Sequence, residues 1–250
     1  MKKVAIVFAG GVGQRMGAST PKQFLKLKDK EILVHTLEKF QNNDNVDAIV
    51  ICMLASYIDF TKELVAEYNI DKVVGIVPGG ETGQLSIYNG VKYAHDQFDE
   101  NTIVLIHDGV RPFITDELIN ENISVAQVTG SCISCVKATE TFLIVDEENS
   151  VKEIPARSQS LIAKAPQTFR LGNIYGAHQN AIRDNKINFV DSSTLMNYYG
   201  NPLSVIETDY DNIKITTPKD IALAESIYDR LHKEKGNEYV KKPRRDEWYG

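Results

Sequence analysis

Between residues 10 and 23 the chain carries Gly10-Gly11-Val12-Gly13-Gln14-Arg15-Met16-Gly17 and then Pro21-Lys22-Gln23. Glycines let backbone N–H groups approach a phosphate closely. Two cations flanking such a loop, Arg15 and Lys22, suit a polyphosphate whose charge builds up during group transfer. Two familiar phosphate loops fail on spacing. Gly11, Gly13 and Gly17 give G-x-G-x-x-x-G, not the dinucleotide G-x-G-x-x-G, and no Lys follows Gly17 as the Walker loop requires. The glycines alone also read as a tight turn.

Such a loop needs a strand behind it, and Val4–Phe8, running into Ala9, supplies one. Ala48–Cys52, Lys72–Val77, Thr102–Ile106 and Cys132–Val136 are further short β-branched runs, apolar on both faces as in a buried parallel sheet. Helical spacing separates them: Leu33, Leu37 and Phe40 share a face, Ile58, Leu64 and Val65 partly mark another helix, and Ile87, Val91 and Ala94 share a third. This alternation predicts an α/β fold, a Rossmann-like, mostly parallel sheet flanked by helices.

After about residue 138 the order loosens. Thr139–Ile154 reads as two short strands around the polar turn Asp146-Glu147-Glu148-Asn149-Ser150. A hairpin projecting from the domain would expose apolar side chains, so the arm at 139–154 is a candidate homodimer contact; the alternative is a hairpin folded back on its own domain. A last helix starts at Thr217-Pro218, repeats Ile221, Ala224, Ile227 and Leu231, and stops at Gly236. Residues 1–235 are thus expected to form one domain and 236–250 a tail. That tail, with Lys241-Lys242-Pro243-Arg244-Arg245 and Trp248-Tyr249, is either mobile or partner-binding.

Composition narrows the partners. The 250 residues are 42% hydrophobic and 25% charged, with 28 Lys+Arg against 34 Asp+Glu and a net charge of −6. A general nucleic-acid binder is usually basic, whereas a local cation cluster can still hold a small anion. No apolar run reaches the roughly 18–20 residues of a membrane span. The apolar N-terminal run, Val4 to Ala9, is short for a signal peptide, so a cytoplasmic protein is expected. Cys52, Cys132 and Cys135 form no disulfide framework. The lone C-x-x-C reads as buried small residues, with metal or redox chemistry as the alternative.

Taken together, A-G-G-x-G-x-R-M-G…P-K-Q resembles the CTP-dependent polyol-phosphate cytidylyltransferases, in particular those acting on ribitol 5-phosphate and 2-C-methyl-D-erythritol 4-phosphate. Four further segments agree in order: Pro78-Gly79-Gly80 with Ser86 and Asn89-Gly90; His107-Asp108-Gly109-Val110-Arg111-Pro112-Phe113; Arg157 with Pro166-Gln167-Thr168-Phe169; and Asn212-Ile213-Lys214-Ile215-Thr216-Thr217-Pro218. The resemblance implies transfer of CMP from CTP to a polyol phosphate, with ribitol 5-phosphate first and the methylerythritol, glycerol or arabinitol phosphates as alternatives. It implies Arg15 and Lys22 as catalytic residues. Phe8, Ala9, Gly10, Gly11, Gly13, Gly79, Gly80, Gln84, Ser86 and Asp108 would bind the nucleotide. Thr141, Arg157 and Lys214 would bind the polyol phosphate, Thr141 at a pocket that a dimer partner could complete. Asp108 at the carboxyl edge of the sheet would repel a triphosphate unless a cation intervened, so Mg²⁺ is expected there. No covalent nucleophile is needed, and His107 is expected to be structural or to tune Asp108.

The chain departs from the family's G-G-x-x-R-x-x-S loop at Gly83, where the Arg is missing, and Ala165 stands for the Thr before Pro-Gln-x-Phe. Asp191-Ser192-Ser193-Thr194-Leu195 also replaces the run expected of ribitol-type enzymes. Two competing readings follow. Asp209-Tyr210-Asp211 is a D-x-D, found in nucleotide-sugar glycosyltransferases, and the missing Arg admits a non-catalytic nucleotide-binding protein.

Overall fold

Successive side chains of a strand point to opposite faces, and the first strand, β1 (Lys3–Ala9), uses both. Ala5 and Val7 enter one hydrophobic cluster and Val4 and Ile6 another, and all four are fully buried. The computed structural model describes residues 1–10 and 20–236, with side chains to 233. A small ribbon of β2 (Lys26–Leu27) and β3 (Lys30–Glu31) leads into α1 (Ile32–Gln41). Then come β4 (Ala48–Met53), α2 (Ile58–Glu67), β5 (Val73–Pro78), α3 (Gly83–Gln97), β6 (Ile103–Asp108), α4 (Asp116–Thr129) and β7 (Ser131–Lys137). The five expected strands are all present, each within two residues of its predicted ends.

The rest of the chain is less regular. β8 (Ile144–Val145) and β9 (Val151–Glu153) form the hairpin. They are followed by β10 (Leu161–Arg170), α5 (Leu171–Arg183), α6 (Ser192–Tyr198), β11 (Val205–Glu207) and α7 (Pro218–Gly236). The main sheet has seven strands in the order β11-β7-β10-β6-β1-β4-β5. β10 runs antiparallel to β6 and β7, and every other pairing is parallel.

Helices cover both faces. Leu33, Leu37 and Phe40 of α1, Leu64 of α2 and Leu118, Ile119 and Ile123 of α4 pack on Ala5, Val7, Ile49, Ile51 and Leu105. Ile87 and Val91 of α3, Ile174 and Ala177 of α5 and Leu195 and Met196 of α6 pack on Val4, Ile6, Val50, Cys52 and Val104. Each buried Val, Leu, Ile, Phe or Met among them stabilises the fold by about 1.5–3 kcal/mol. α3 approaches the sheet closely at Gly90, where an added Cβ would collide with Cys52 Sγ and Ile6. A third cluster joins Ala224 and Ile227 of α7 to Leu27, Val110, Phe113 and Ile215.

α7 begins where Thr217 and Pro218 predict. The Asp220 carboxylate, in the first turn, reaches back to accept hydrogen bonds from the backbone N–H groups of Thr216 and Thr217 just before the helix at 2.8 Å, as in a capping box. The hairpin carries Phe142, Leu143, Ile144, Val145, Val151 and Ile154 as exposed apolar residues. The tail beyond Gly236 lies outside the described residues. Cys132 and Cys135 lie buried in β7, and burial raises both thiols, Cys132 to about 12. That is the buried small-residue reading of the C-x-x-C. Among the described residues no helix is long and apolar enough to cross a membrane.

Candidate active site

The parallel register of β1 and β6 sets Phe8 opposite Asp108 at the carboxyl end of the sheet. Asp108 is 5% exposed, which would disfavour its charge, but two cations share it. Arg111 donates from Nε and Nη2 to Oδ2 at 3.2 and 3.1 Å. Lys214 Nζ lies 2.5 Å from Oδ1 and 5.6 Å above the centre of the Phe8 ring. Burial opposes ionisation of Asp108, and Lys214 and Arg111 together outweigh it, holding the carboxyl below the usual range.

The same cluster fixes the backbone around it. Arg111 Nη1 donates to the Asn212 carbonyl at 2.6 Å, and Asn212 Nδ2 donates to the Ala165 carbonyl at 2.7 Å. Three segments that are remote in sequence, 108–111, 165 and 212–214, are thereby tied at one edge. Arg111 and Asn212 were not among the expected site residues, although both lie inside the segments that carry the resemblance. His107 is fully buried, and its Nε2 donates to the Arg111 carbonyl at 3.1 Å. Burial lowers its imidazole to about 4, so it is neutral and positions the turn.

Gly10 and the Gly79-Gly80 turn meet at Ser86. Its hydroxyl accepts from Gly80 N at 3.0 Å and donates to the Thr82 carbonyl at 2.9 Å. A Cβ at Gly79 or at Gly10 would stand 3.1 or 3.4 Å from that same oxygen. Gly10, Gly79, Gly80 and Ser86 are therefore brought together. Ala9 is held by Gln23, whose Nε2 donates to the Ala9 carbonyl at 2.6 Å. Gln23 is buried in a single 3₁₀ turn, Lys22–Phe24, anchored by Phe24 against Tyr57 and Phe60. That turn places Lys22 beside the end of β1. Gly11, Gly13 and Arg15 lie outside the described residues.

The side chain of Gln84, expected at the nucleotide, is engaged within the fold. It is buried, its Nε2 donates to the Lys186 carbonyl at 2.9 Å, and its Oε1 accepts from Phe189 N at 2.8 Å. Thr82 Oγ1 donates to the Ile187 carbonyl at 2.7 Å. Both residues pin the 186–189 segment to the start of α3, a contact that no local sequence signal announces. Gly83, in the place of the missing Arg, opens onto free space: nothing lies within 4 Å of an added Cβ.

Thr141 and Arg157 lie at the base of the hairpin. Both are exposed, and Arg157 Nη1 reaches the Thr139 carbonyl at 3.5 Å. Among the described residues no hydrogen bond or ion pair joins them to the Asp108 cluster. The D-x-D does not assemble as a metal site: Asp211 pairs with Arg230 at 2.7 Å, and Tyr210 Oη donates to the Lys137 carbonyl at 2.5 Å. No group of three or more His, Cys, Asp or Glu gathers among the described residues. Asp108 is a buried carboxylate at this edge, with Oδ2 held by Arg111 and Oδ1 by Lys214. A carboxylate there fits Mg²⁺, which takes one or two carboxylates and completes its shell with phosphates and water, provided Lys214 yields Oδ1 to the ion.

Comparison with known proteins agrees with this geometry. Residues 3–230 match the family described as IspD, 2-C-methyl-D-erythritol 4-phosphate cytidylyltransferase. The chain is 47% identical over 227 residues to a ribitol-5-phosphate cytidylyltransferase of Vibrio parahaemolyticus, covering 90% of this chain and 95% of the relative. It is 38% identical over 231 residues to a 2-C-methyl-D-erythritol 4-phosphate cytidylyltransferase of Clostridium novyi, covering 92% and 98%. The crystal structure of a 4-diphosphocytidyl-2C-methyl-D-erythritol synthase from Anaerococcus prevotii superposes with a TM-score of 0.79 at 27% identity, covering 92% of this chain and 96% of that one.

Proposed function

The chain belongs to the IspD cytidylyltransferase family, and from that we propose that it transfers CMP from CTP to ribitol 5-phosphate, giving CDP-ribitol and pyrophosphate. The acceptor is carried by one observation: the ribitol-5-phosphate relative is 47% identical and the methylerythritol-phosphate relative 38%, over nearly the same span. The family description and the solved neighbour favour 2-C-methyl-D-erythritol 4-phosphate as the second reading.

In the proposed mechanism an oxygen of the acceptor phosphate attacks the α-phosphorus of CTP in line as the bond to pyrophosphate breaks. Positioning and electrostatics dominate such a transfer. Gly10, Gly79 and Gly80 offer backbone to the triphosphate, and Ser86 holds the two loops together. Lys22 and Arg15 stabilise the charge that develops on the α-phosphate and the departing pyrophosphate. Lys214 orients the acceptor phosphate. Asp108 would hold Mg²⁺, which when bound supplies positive charge to the triphosphate. Thr141 and Arg157 at the base of the 139–154 arm would complete the acceptor pocket in a homodimer, and a cytoplasmic location fits a nucleoside-triphosphate donor. A panel of NTPs against ribitol, methylerythritol, glycerol and arabinitol phosphates, read by pyrophosphate release, tests the proposal. Turnover with CTP and ribitol 5-phosphate well above the others is expected. Silence in every CTP pairing would sink it.

A further inference from the structure

Lys164 is a cation that neither the motifs nor the family resemblance singles out. It lies in an irregular stretch of β10. Pairing with β7 runs through Ala163 and resumes only at Gln167, with a shift of register between them. Pairing with β6 also starts at Gln167, opposite Ile106. Residues 164–166 are therefore released from both ladders, beside the end of β6 that carries Asp108. The next residue, Ala165, is the one held by Asn212.

Lys164 is half-buried and close enough to Arg111 to feel its charge. Burial, and then Arg111, push its ammonium below the usual lysine range. Among the described residues it has no hydrogen-bond or ion-pair partner. A half-buried ammonium is costly unless an opposite charge meets it. Asp108 already answers Arg111 and Lys214, and among the described residues no carboxylate pairs with Lys164. That unanswered charge suits a phosphate monoester, which carries about −1.5 to −2 near neutral pH.

Position decides between the two phosphate-bearing substrates. The glycine loops proposed for the triphosphate lie at the ends of β1 and β5. β10 lies on the other side of β6, and its first residue, Leu161, pairs with Lys137, where the chain leaves for the arm bearing Thr141 and Arg157. Lys164 stands between the Asp108 cluster and that arm. On the cytidylyltransferase reading above, we infer that Lys164 is a specificity-determining residue of the acceptor site, pairing with the phosphate of the incoming alditol phosphate.

Lys164→Met and Lys164→Arg test this. A charge-assisted hydrogen bond to phosphate is worth about 1.5–3 kcal/mol, so Lys164→Met should raise the KM for ribitol 5-phosphate by roughly tenfold or more. The KM for CTP should stay within about twofold, and Lys164→Arg should recover most of the acceptor affinity. Calorimetric titration with inorganic phosphate should show the same order, wild type and Arg above Met. Unchanged acceptor KM and phosphate affinity in Lys164→Met overturns the inference, as does equal loss of CTP and acceptor affinity in both variants. A wild-type enzyme silent with every CTP pairing refutes the cytidylyltransferase reading instead, and the phosphate titration still decides the role of Lys164.

Discussion

The Lys214 ammonium stands 2.5 Å from Asp108 Oδ1, on the opposite side of the carboxylate from Arg111. The two cations differ in what they support. Arg111 is 6% exposed and bonded to both Asp108 and Asn212, whereas the Lys214 side chain is 41% exposed. Removing Arg111 strips a buried carboxylate of its enclosed partner, so Arg111→Met should lower stability by about 3–5 kcal/mol. Lys214→Met should cost less stability than Arg111→Met, because its ammonium is partly exposed and Arg111 stays on the carboxylate, yet lower kcat by about 10²-fold or more. Urea midpoints and pyrophosphate release separate the effects. Comparable stability losses in the two variants would contradict the division of labour.

Lys22 faces a different demand. If its charge acts on the α-phosphate as pyrophosphate leaves, Lys22→Ala should lower kcat by about 10²-fold and move the KM for CTP by no more than a few fold. A change in KM alone would remove Lys22 from the chemistry and leave it as a binding group.

His178 makes the acid limb of stability testable. It is 1% exposed, neither ring nitrogen has a hydrogen-bond partner among the described residues, and burial lowers its pKa to about 3. Its folded pKa is depressed, so its contribution is fully present above the unfolded value of about 6.5 and is lost as pH falls toward the folded value. Between pH 7 and pH 4.5 the wild type should lose about 2–3 kcal/mol more stability than His178→Leu. His107 has the same sign in both proteins and cancels. Parallel pH profiles in urea would show that His178 is already protonated or hydrated in the fold.

Gly83 leaves room for the arginine that the family pattern has there. With nothing within 4 Å of an added Cβ, Gly83→Arg should fold without strain and tighten CTP binding by about threefold to tenfold. Calorimetric titration with CTP checks this. Unchanged affinity would mean that this position does not face the nucleotide.

The arm exposes Leu143, Val151 and Ile154 at 54–60%. Contiguous exposed apolar side chains mark an interaction surface, which is the ground for proposing this hairpin as a homodimer contact. Deletion of residues 142–152 should halve the mass seen by light scattering and sharply reduce turnover. A full-length chain that runs as a monomer would end the dimer proposal.

The parallel half of the fold was legible because its strands are buried on both faces and its helices repeat at helical spacing. β1, β4, β6 and α1 could be read from Val4–Phe8, Ala48–Cys52, Thr102–Ile106 and Leu33–Phe40 alone. β10 could not. Its sequence LIAKAPQTFR mixes polar and apolar residues, and a proline and a register shift interrupt it. α5 buries Leu171, Ile174, Ala177 and Ala181, a helical stripe weakened by two alanines and by Gly172 and Gly176 within the same helix. The site was legible as motifs but not as a circuit. Nothing near Gln84 in sequence announces the 186–189 segment, and nothing near Lys164 announces Arg111. Such pairings are set by strand order, which a single chain does not print locally.

Strand order also carries a consequence in time. β1, β4, β5 and β6 are all made by residue 108 and lie side by side, so that half of the sheet can pair as soon as it is synthesised. β7 cannot join it directly, because β10 must first lie between them, and β10 follows the arm. The Arg111–Asn212 bond then closes a loop of 101 residues, the kind of contact that forms late because its entropy cost precedes its reward. The reactive edge is therefore among the last parts of the molecule to assemble. A nascent chain already holding its glycine loops would remain inert until its final third had emerged and folded back.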